Sequence, residues 1–301
     1  MLAGPYGTMM LADQGAHVIK VESPEGDMSR DATGAAAGTG DGRRLSGYFQ
    51  SIGRNKDSVV LDLKTPGGVQ ALKALVRDAD AVVENFRSGV MERLGLGWDV
   101  LRAINPRLVY GCLRGFGDPR TGASPYQNWP AFDVVAQAMG GIMAITGPDA
   151  MTPTKVGPGV GDIVPGIMLG FGVLAAIHHA RRTGEGQFVD VAMTDAVLAV
   201  CERSVWQHSF DGVLPGPEGN HHPFLCPFGM YPAADGHVTL AAHIDAFFVA
   251  LCEALGAPQL ATDPDFARRE ARSANRLRLI QILGDITRRF TKAELVARLG
   301  G

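Results

Sequence analysis

Hydrophobic and polar positions along the first two thirds of the chain switch repeatedly between a period of two and a period near 3.6. The short alternating or apolar runs Ala16–Glu22, Ser58–Leu63, Asp80–Glu84, Arg107–Leu113 and Gln187–Met193 read as strands. Helical spacing fills the intervals. Tyr6–Gln14 is stopped by Gly15, and Thr65-Pro66 supplies an N-cap and N1 pair for a helix to about Val76. Two short helices are expected around Val90–Leu94 and Trp98–Ile104. Strands alternating with helices predict a parallel sheet covered on both faces, an α/β fold. Ser23–Arg44 is polar and rich in Gly and Asp, which reads as a long loop.

The stretch Val160–Asp195 concentrates the chemistry. Ile163–Ile177 carries no charge and includes Gly166, Gly170 and Gly172. Glycine costs roughly 1 kcal/mol against alanine in a helix, so a helix keeping this many is expected to lie very close to another element. Arg181-Arg182 suits the negative helix end, Gly184 is the stop, and Thr194 is expected to cap the next helix. Asp162 opens the apolar segment behind Gly157, Gly159 and Gly161. One reading makes it an N-cap, its carboxylate held ionised by backbone N–H groups. The other makes it a carboxylate nucleophile or base. Local spacing does not separate the two.

After about Ser204 the pattern changes. Residues 205–226 read as a linker, and two strands flank Ala-Ala-Asp235-Gly236 as a hairpin. Helices follow at Ala246–Leu255 and about Arg268–Phe290, and Thr291 with Glu294 forms a capping box. The expected organisation is a large Rossmann-like domain over 1–204, the linker, and a smaller α+β domain over 227–301.

Composition narrows the function classes. The chain has 301 residues, 46% hydrophobic and 20% charged, with a formal net charge of −3 and no long basic run, which argues against nucleic acid as a partner. Cys112, Cys201, Cys226 and Cys252 form no CxxC pair, so a reducing, cytoplasmic setting is expected. The N-terminus has no basic leader region, and the longest apolar run, about 15 residues, is short for a membrane span. No GxGxxG follows a predicted strand and no Walker A motif occurs, so nicotinamide, flavin or P-loop chemistry is not indicated. His178-His179 and His221-His222 are adjacent pairs, and neighbours on a helix point in different directions, so no metal site is expected. Lys64, Arg87 and Arg93 sit at or beyond predicted strand ends, where ligands collect in parallel sheets. Each alone reads first as solvated surface charge, and several at strand ends together suit the phosphates of a ligand.

Several segments, in order, resemble the class III CoA-transferases, the CaiB/BaiF family: LAGPYGTMMLADQGAHVIKVE (Leu2–Glu22), RNKDSVVLDLKTPGG (Arg54–Gly68), DADAVVENFRSGVMERLGLGW (Asp78–Trp98), NPRLVYGCLRGFG (Asn105–Gly117), FDVVAQAMGGIMAITG (Phe132–Gly147), GDIVPG (Gly161–Gly166) and RTGEGQFVDVAMTDA (Arg182–Ala196). ADGHVTLAA (Ala234–Ala242) and DPDFARREARSANR (Asp263–Arg276) match the family's smaller domain. The resemblance implies a Rossmann-like large domain, a smaller domain and an interlocked homodimer. It implies transfer of CoA from an acyl-CoA, succinyl-CoA being the commonest donor, to a free carboxylic acid, with no permanently bound cofactor. Asp162 falls on the family's catalytic aspartate, which passes through mixed-anhydride and aspartyl-CoA thioester intermediates. CoA is expected along Ala3, Leu61 to Lys64, Asn85, Phe86, Arg87, Arg93, and Trp129, Pro130, Ala131 and Phe132.

The related α-methylacyl-CoA racemases carry a His before the acidic residue matching Asp133. Phe132 stands there and cannot shuttle a proton, which favours transfer over racemisation. A CoA-binding fragment without turnover is the remaining alternative. The family's first strand and its C-terminal return segment have no counterpart, so the chain reads as trimmed at both ends. Where some members have a cation after the VIKVE segment this chain has Ser23, with Arg30 as a candidate substitute.

Overall fold

The computed structural model describes residues 2–31, 37–38 and 44–300. It divides into two units, Met1–Ala144 with Thr154–Pro215, and Ile145–Pro153 with Gly216–Gly301.

The first unit is α/β. Its strands are β1 (Val18–Glu22), β2 (Ala37–Gly38), β3 (Arg44–Leu45), β4 (Lys56–Val60), β5 (Ala81–Glu84), β6 (Val109–Arg114) and β7 (Phe188–Ala192). Its helices are α1 (Ala3–Asp13), α2 (Gly47–Gly53), α3 (Pro66–Val76), α4 (Val90–Arg93), α5 (Trp98–Ile104), α6 (Asp133–Met139), α7 (Val160–Thr183), α8 (Met193–Val200) and α9 (Glu202–Trp206). β1 pairs with β4 and β6 pairs with both β5 and β7, all in parallel. β2 and β3 form a short antiparallel pair. The rest of the expected Ser23–Arg44 loop holds a 3₁₀ turn at Met28–Arg30, and part of it lies outside the described residues.

β6 is the centre, with every residue buried, as a strand covered on both faces must be. On one face α7 lays Leu169, Val173 and Ala176 into a core with Val109 and Leu113. Gly111 makes room for it, because a Cβ there would stand 2.8 Å from Val173 and 3.2 Å from Leu169. On the other face Trp98, Tyr110 and Phe188 form a ring cluster, with Tyr110 and Phe188 stacked at 5.3 Å. By length and composition α7 is apolar enough to cross a bilayer, but its inner side is the floor of this core.

The glycines of α7 answer the packing expectation. α1 crosses α7 at backbone contact. A Cβ on Gly7 would lie 2.4 Å from the Gly166 carbonyl oxygen, and one on Gly166 would lie 2.6 Å from that of Ala3.

The second unit pairs β8 (Phe228–Ala233) with β9 (Gly236–Ala241) as the expected hairpin. α10 (Asp245–Ala254), α11 (Gln259–Thr262), α12 (Arg269–Ala274), α13 (Arg276–Thr287) and α14 (Lys292–Leu299) follow. Tyr231, Phe248, Leu279 and Leu283 bury together. Arg272 is fully buried. Its guanidinium donates to the carbonyls of Cys226, Phe266 and His243 and to Asp245, and lies over the Phe248 ring. The Thr291–Glu294 capping box is present.

Several expectations need correction. The expected strand Ser58–Leu63 is Lys56–Val60, because the Asp62 carboxylate accepts from Lys64 N–H and turns the chain out of the sheet. The first helix begins at Ala3, since Pro5 is tolerated in a first turn. The single helix over 268–290 is two, divided at Asn275, whose side-chain amide donates to Asp265 and Ala271 carbonyls. Thr194 is not a cap. It lies inside α8 behind Ala192, and its hydroxyl donates to the Gly115 carbonyl instead. Asp162 is not the N-cap of α7 either; Gly159 is, and Asp162 is the helix's third residue.

Candidate active site

With Gly159 as cap, α7 has no capping side chain of its own. One first-turn N–H, that of buried Gly161, finds a partner from outside. Asp133, the first residue of α6, accepts from Gly161 N–H at 2.9 Å. That leaves Asp162 free of the capping duty. Its carboxylate is half-buried and accepts no hydrogen bond from the described residues. Burial, and then the nearby charge of Asp133, push its pKa up from the usual carboxylate range to about 6. The expected lowering by a cap is therefore reversed. A carboxylate this basic is still mainly ionised at neutral pH and is a stronger nucleophile than an exposed aspartate. Tyr48, on α2, lies in its field: burial, and then the Asp162 charge, raise the phenol's pKa.

Asp133 is itself held on several sides. Gln137, one turn along α6, donates to its two oxygens at 2.9 and 3.0 Å, and Lys155 Nζ stands 3.4 Å from Oδ2. Neither Gln137 nor Lys155 was a candidate from the sequence. The signal was nonetheless there, an Asp and a Gln four residues apart in the FDVVAQ motif, which face each other if that motif is helical.

The residues expected to bind CoA fall into three groups. Ala3 opens α1, and the next residue, Gly4, leaves just enough space for Asn85, whose Oδ1 would be 3.0 Å from a Cβ there. Ala3 and Ala131 share the α7 core. Ala131 also sits directly on Gly115, where a Cβ would overlap its own at 2.2 Å. Ala3, Asn85, Ala131 and the start of α7 are thus assembled around one region. Trp129 and Phe132 flank Ala131 and Pro130 and are exposed, at 58% and 69%, and Tyr126 tilts against Trp129 at 4.8 Å.

The second group is the loop after β5. A buried ionic cluster sets it: Arg114 pairs with Glu84 at 3.0 Å and with Asp118, and the other Glu84 oxygen accepts from Phe86 N–H at 2.7 Å. Phe86 and Arg87 then project from the carboxyl end of the sheet, and Arg93 folds back over Gly89. Leu61 and Lys64 form the third group, beyond β4; Leu61 N–H donates to the Glu22 carbonyl, and Lys64 is exposed near Glu25. No hydrogen bond or ion pair among the described residues joins this group to the Asp162 region. Arg30, the candidate substitute cation, is committed to Glu22 through two bonds of 2.7 and 2.8 Å and lies over the Phe49 ring.

A family model described as CoA-transferase family III matches residues 1–301. The chain belongs to CoA-transferase family III. Among curated relatives, the succinyl-CoA:mesaconate CoA-transferase of Haloarcula hispanica is 49% identical over 302 residues, covering 100% of this chain and 75% of that one. The succinate–glutarate CoA-transferase of Agrobacterium fabrum is 40% identical over 298 residues, covering 98% and 74%. A CaiB/BaiF family protein from Brucella suis superposes with a TM-score of 0.85 at 36% identity, covering 99% of this chain and 78% of that one. The parallel α/β architecture and the enzyme class follow. This class III CoA-transferase uses acyl-CoA as a substrate, and its chain spans about three quarters of these relatives' lengths.

Proposed function

We propose that this CoA-transferase moves CoA from succinyl-CoA to a small unsaturated or branched dicarboxylic acid of the mesaconate type, with Asp162 as covalent carrier. The observation that carries the nucleophile is the half-buried Asp162 carboxylate at the start of α7, unpaired among the described residues and basic for its type. The substrate class is supported by two succinyl-CoA:mesaconate CoA-transferases at 49% and 51% identity.

The Asp162 carboxylate attacks the succinyl thioester carbonyl. The C–S bond breaks, CoA thiolate leaves, and a succinyl–aspartyl anhydride remains. The thiolate attacks the Asp162 carbonyl and releases succinate, leaving aspartyl-CoA thioester. The acceptor carboxylate displaces thiolate from that thioester, and thiolate then attacks the acceptor's carbonyl. New acyl-CoA departs and Asp162 is a carboxylate again. No net proton is consumed, and the thioester's energy stays in a covalent bond throughout. Water must be kept out, since it would hydrolyse either intermediate. Exposed Trp129, Phe132 and Phe86 offer apolar surface for the CoA arm, and Lys64, Arg87 and Arg93 the cations for its phosphates.

We further propose a homodimer of interlocked chains. Phe171 and Leu174 on the outer side of α7, Trp206 on α9, and Phe210 and Leu214 beyond it are all exposed, Phe210 at 86% and Leu214 at 81%. A soluble chain covers that much apolar surface, and a second copy carries a matching one.

The test is a hydroxylamine trap. Succinyl-CoA and hydroxylamine are added to the protein, and modified peptides are mapped by mass spectrometry. A hydroxamate on Asp162 is expected, and Asp162→Asn is expected to keep its fold while transfer falls at least roughly a thousandfold. Full transfer by Asp162→Asn would refute the carrier role.

A further inference from the structure

A short glycine-containing segment, Lys155–Gly161, runs into the first turn of α7 and leads directly into Asp162. Glycines at 157, 159 and 161 have no side chains with which to brace the turn. The bracing comes from one fully buried amide. Gln137 is 0% exposed. Its Oε1 accepts from Val156 N–H at 2.9 Å, at the start of the segment. Its Nε2 donates to Asp133 Oδ1 and Oδ2 at 2.9 and 3.0 Å, with longer approaches of 3.4 Å to the Val156 and Pro158 carbonyls. Asp133 Oδ1 in turn accepts from Gly161 N–H, at the end of the segment. Lys155 closes the set, 2.8 and 3.1 Å from the Val156 and Gly157 carbonyls.

A buried amide is costly unless its hydrogen bonds are made, and an apolar side chain would fill this space on α6 more cheaply. Here both ends of the amide are used, in opposite senses. Only a group that donates at one end and accepts at the other can bind a carboxylate and a backbone N–H together. A carboxylate at 137 would face Asp133 as a like charge.

We propose that Gln137 is a positioning residue for CoA transfer, fixing from α6 both the turn that delivers Asp162 and the Asp133 carboxylate beside it. It touches no substrate. It acts through Gly161, which sets where Asp162 stands, and through Asp133, whose charge faces Asp162. Tyr48 of α2 also lies in the field of Asp162, the amino-terminal charge acts on Asp162 in the opposite sense by lowering its pKa, and Lys155 faces Asp133 from the segment itself. The inference rests on Asp162 being the nucleophile.

The experiment measures transfer from succinyl-CoA to mesaconate, with hydroxylamine trapping in parallel, for wild type, Gln137→Met, Asp133→Asn, the double variant and Gln137→Glu. Gln137→Met is expected to hold KM for succinyl-CoA within about twofold while kcat falls at least about tenfold, as misplacement of a nucleophile does. Its acid limb moves to lower pH. In the Asp133→Asn background the same change is expected to add less than it does in wild type, because the route through Asp133 to Gly161 is already weakened and the Val156 bond is what remains to lose. Gln137→Glu is the isosteric variant that keeps volume and shape. Its activity relative to wild type is expected to recover as pH falls and the new carboxyl gains a proton to donate.

Wild-type kcat and acid limb in Gln137→Met, effects that multiply in the double variant, or a Gln137→Glu ratio that does not change with pH would each overturn the proposal. These outcomes are read against wild type that labels on Asp162. An unlabelled wild-type Asp162 overturns the nucleophile reading itself, and this inference with it.

Discussion

Asp162 shows what a half-buried carboxylate costs its own protein. Its pKa rises from 3.8 to about 6 on folding, so the native state binds the extra proton between those values. Stability from this group is therefore greatest below about pH 4 and is lost as pH rises through 6, to a total of at most about 3 kcal/mol. Asp162→Asn removes that penalty. Its melting temperature is expected to exceed wild type at pH 7 to 8 and to match it near pH 4; a constant difference across that range would mean the carboxylate is not strained. The sequence made Asp162 visible by its place in front of an apolar run, but it suggested a lowered pKa. The reversal comes first from burial and then from Asp133, 29 positions earlier, which takes the Gly161 N–H and adds its charge. Side chains that meet across that separation leave no trace in local spacing.

At the level of elements, the strand–helix alternation and the glycine content of α7 were both legible, because period and composition act over neighbours. The errors lie where a single side chain decides a boundary. Asp62 ends β4 early, and Asn275 divides one helix into two. α2 was missed, since seven residues with two glycines give almost no period, although Ser46 caps it through Phe49 N–H. The α1–α7 crossing gives a sharp contrast. Gly166→Ala would force a Cβ to 2.6 Å from the Ala3 carbonyl oxygen. It is expected to lower stability by about 2 kcal/mol or more and to reduce CoA binding as α1 shifts. Gly67→Ala, in the first turn of α3 with open space around it, is expected to be neutral or to stabilise by up to about 1 kcal/mol. Thermal melts of the two variants side by side check this; equal effects would mean the crossing is looser than described.

For the whole molecule, oligomeric state and stability are tied together. If outer α7 is the dimer face, Phe171→Asp is expected to yield monomer by size-exclusion chromatography with light scattering, and wild type to melt higher at higher concentration. A wild-type monomer at all concentrations would remove the dimer. Nothing in a single chain's hydrophobic pattern separates a core face from an interface, which is why α7 reads as uniformly apolar. The second unit depends on Arg272 instead. Arg272→Leu leaves three carbonyls, two of them buried, without this donor, and is expected to cost roughly 3 kcal/mol or more, read by urea unfolding.

The meeting of α1 with α7 has a further consequence. Contacts made through side chains can be retuned by exchanging Leu for Met or Val for Ile, and geometry drifts with each exchange. Main chain resting on main chain has no such adjustable part. Gly7 and Gly166 therefore fix the start of α1 against the start of α7 whatever the surrounding side chains become. Side chains around the start of α7 are free to change in size and polarity while the backbone that carries Asp162 keeps its place.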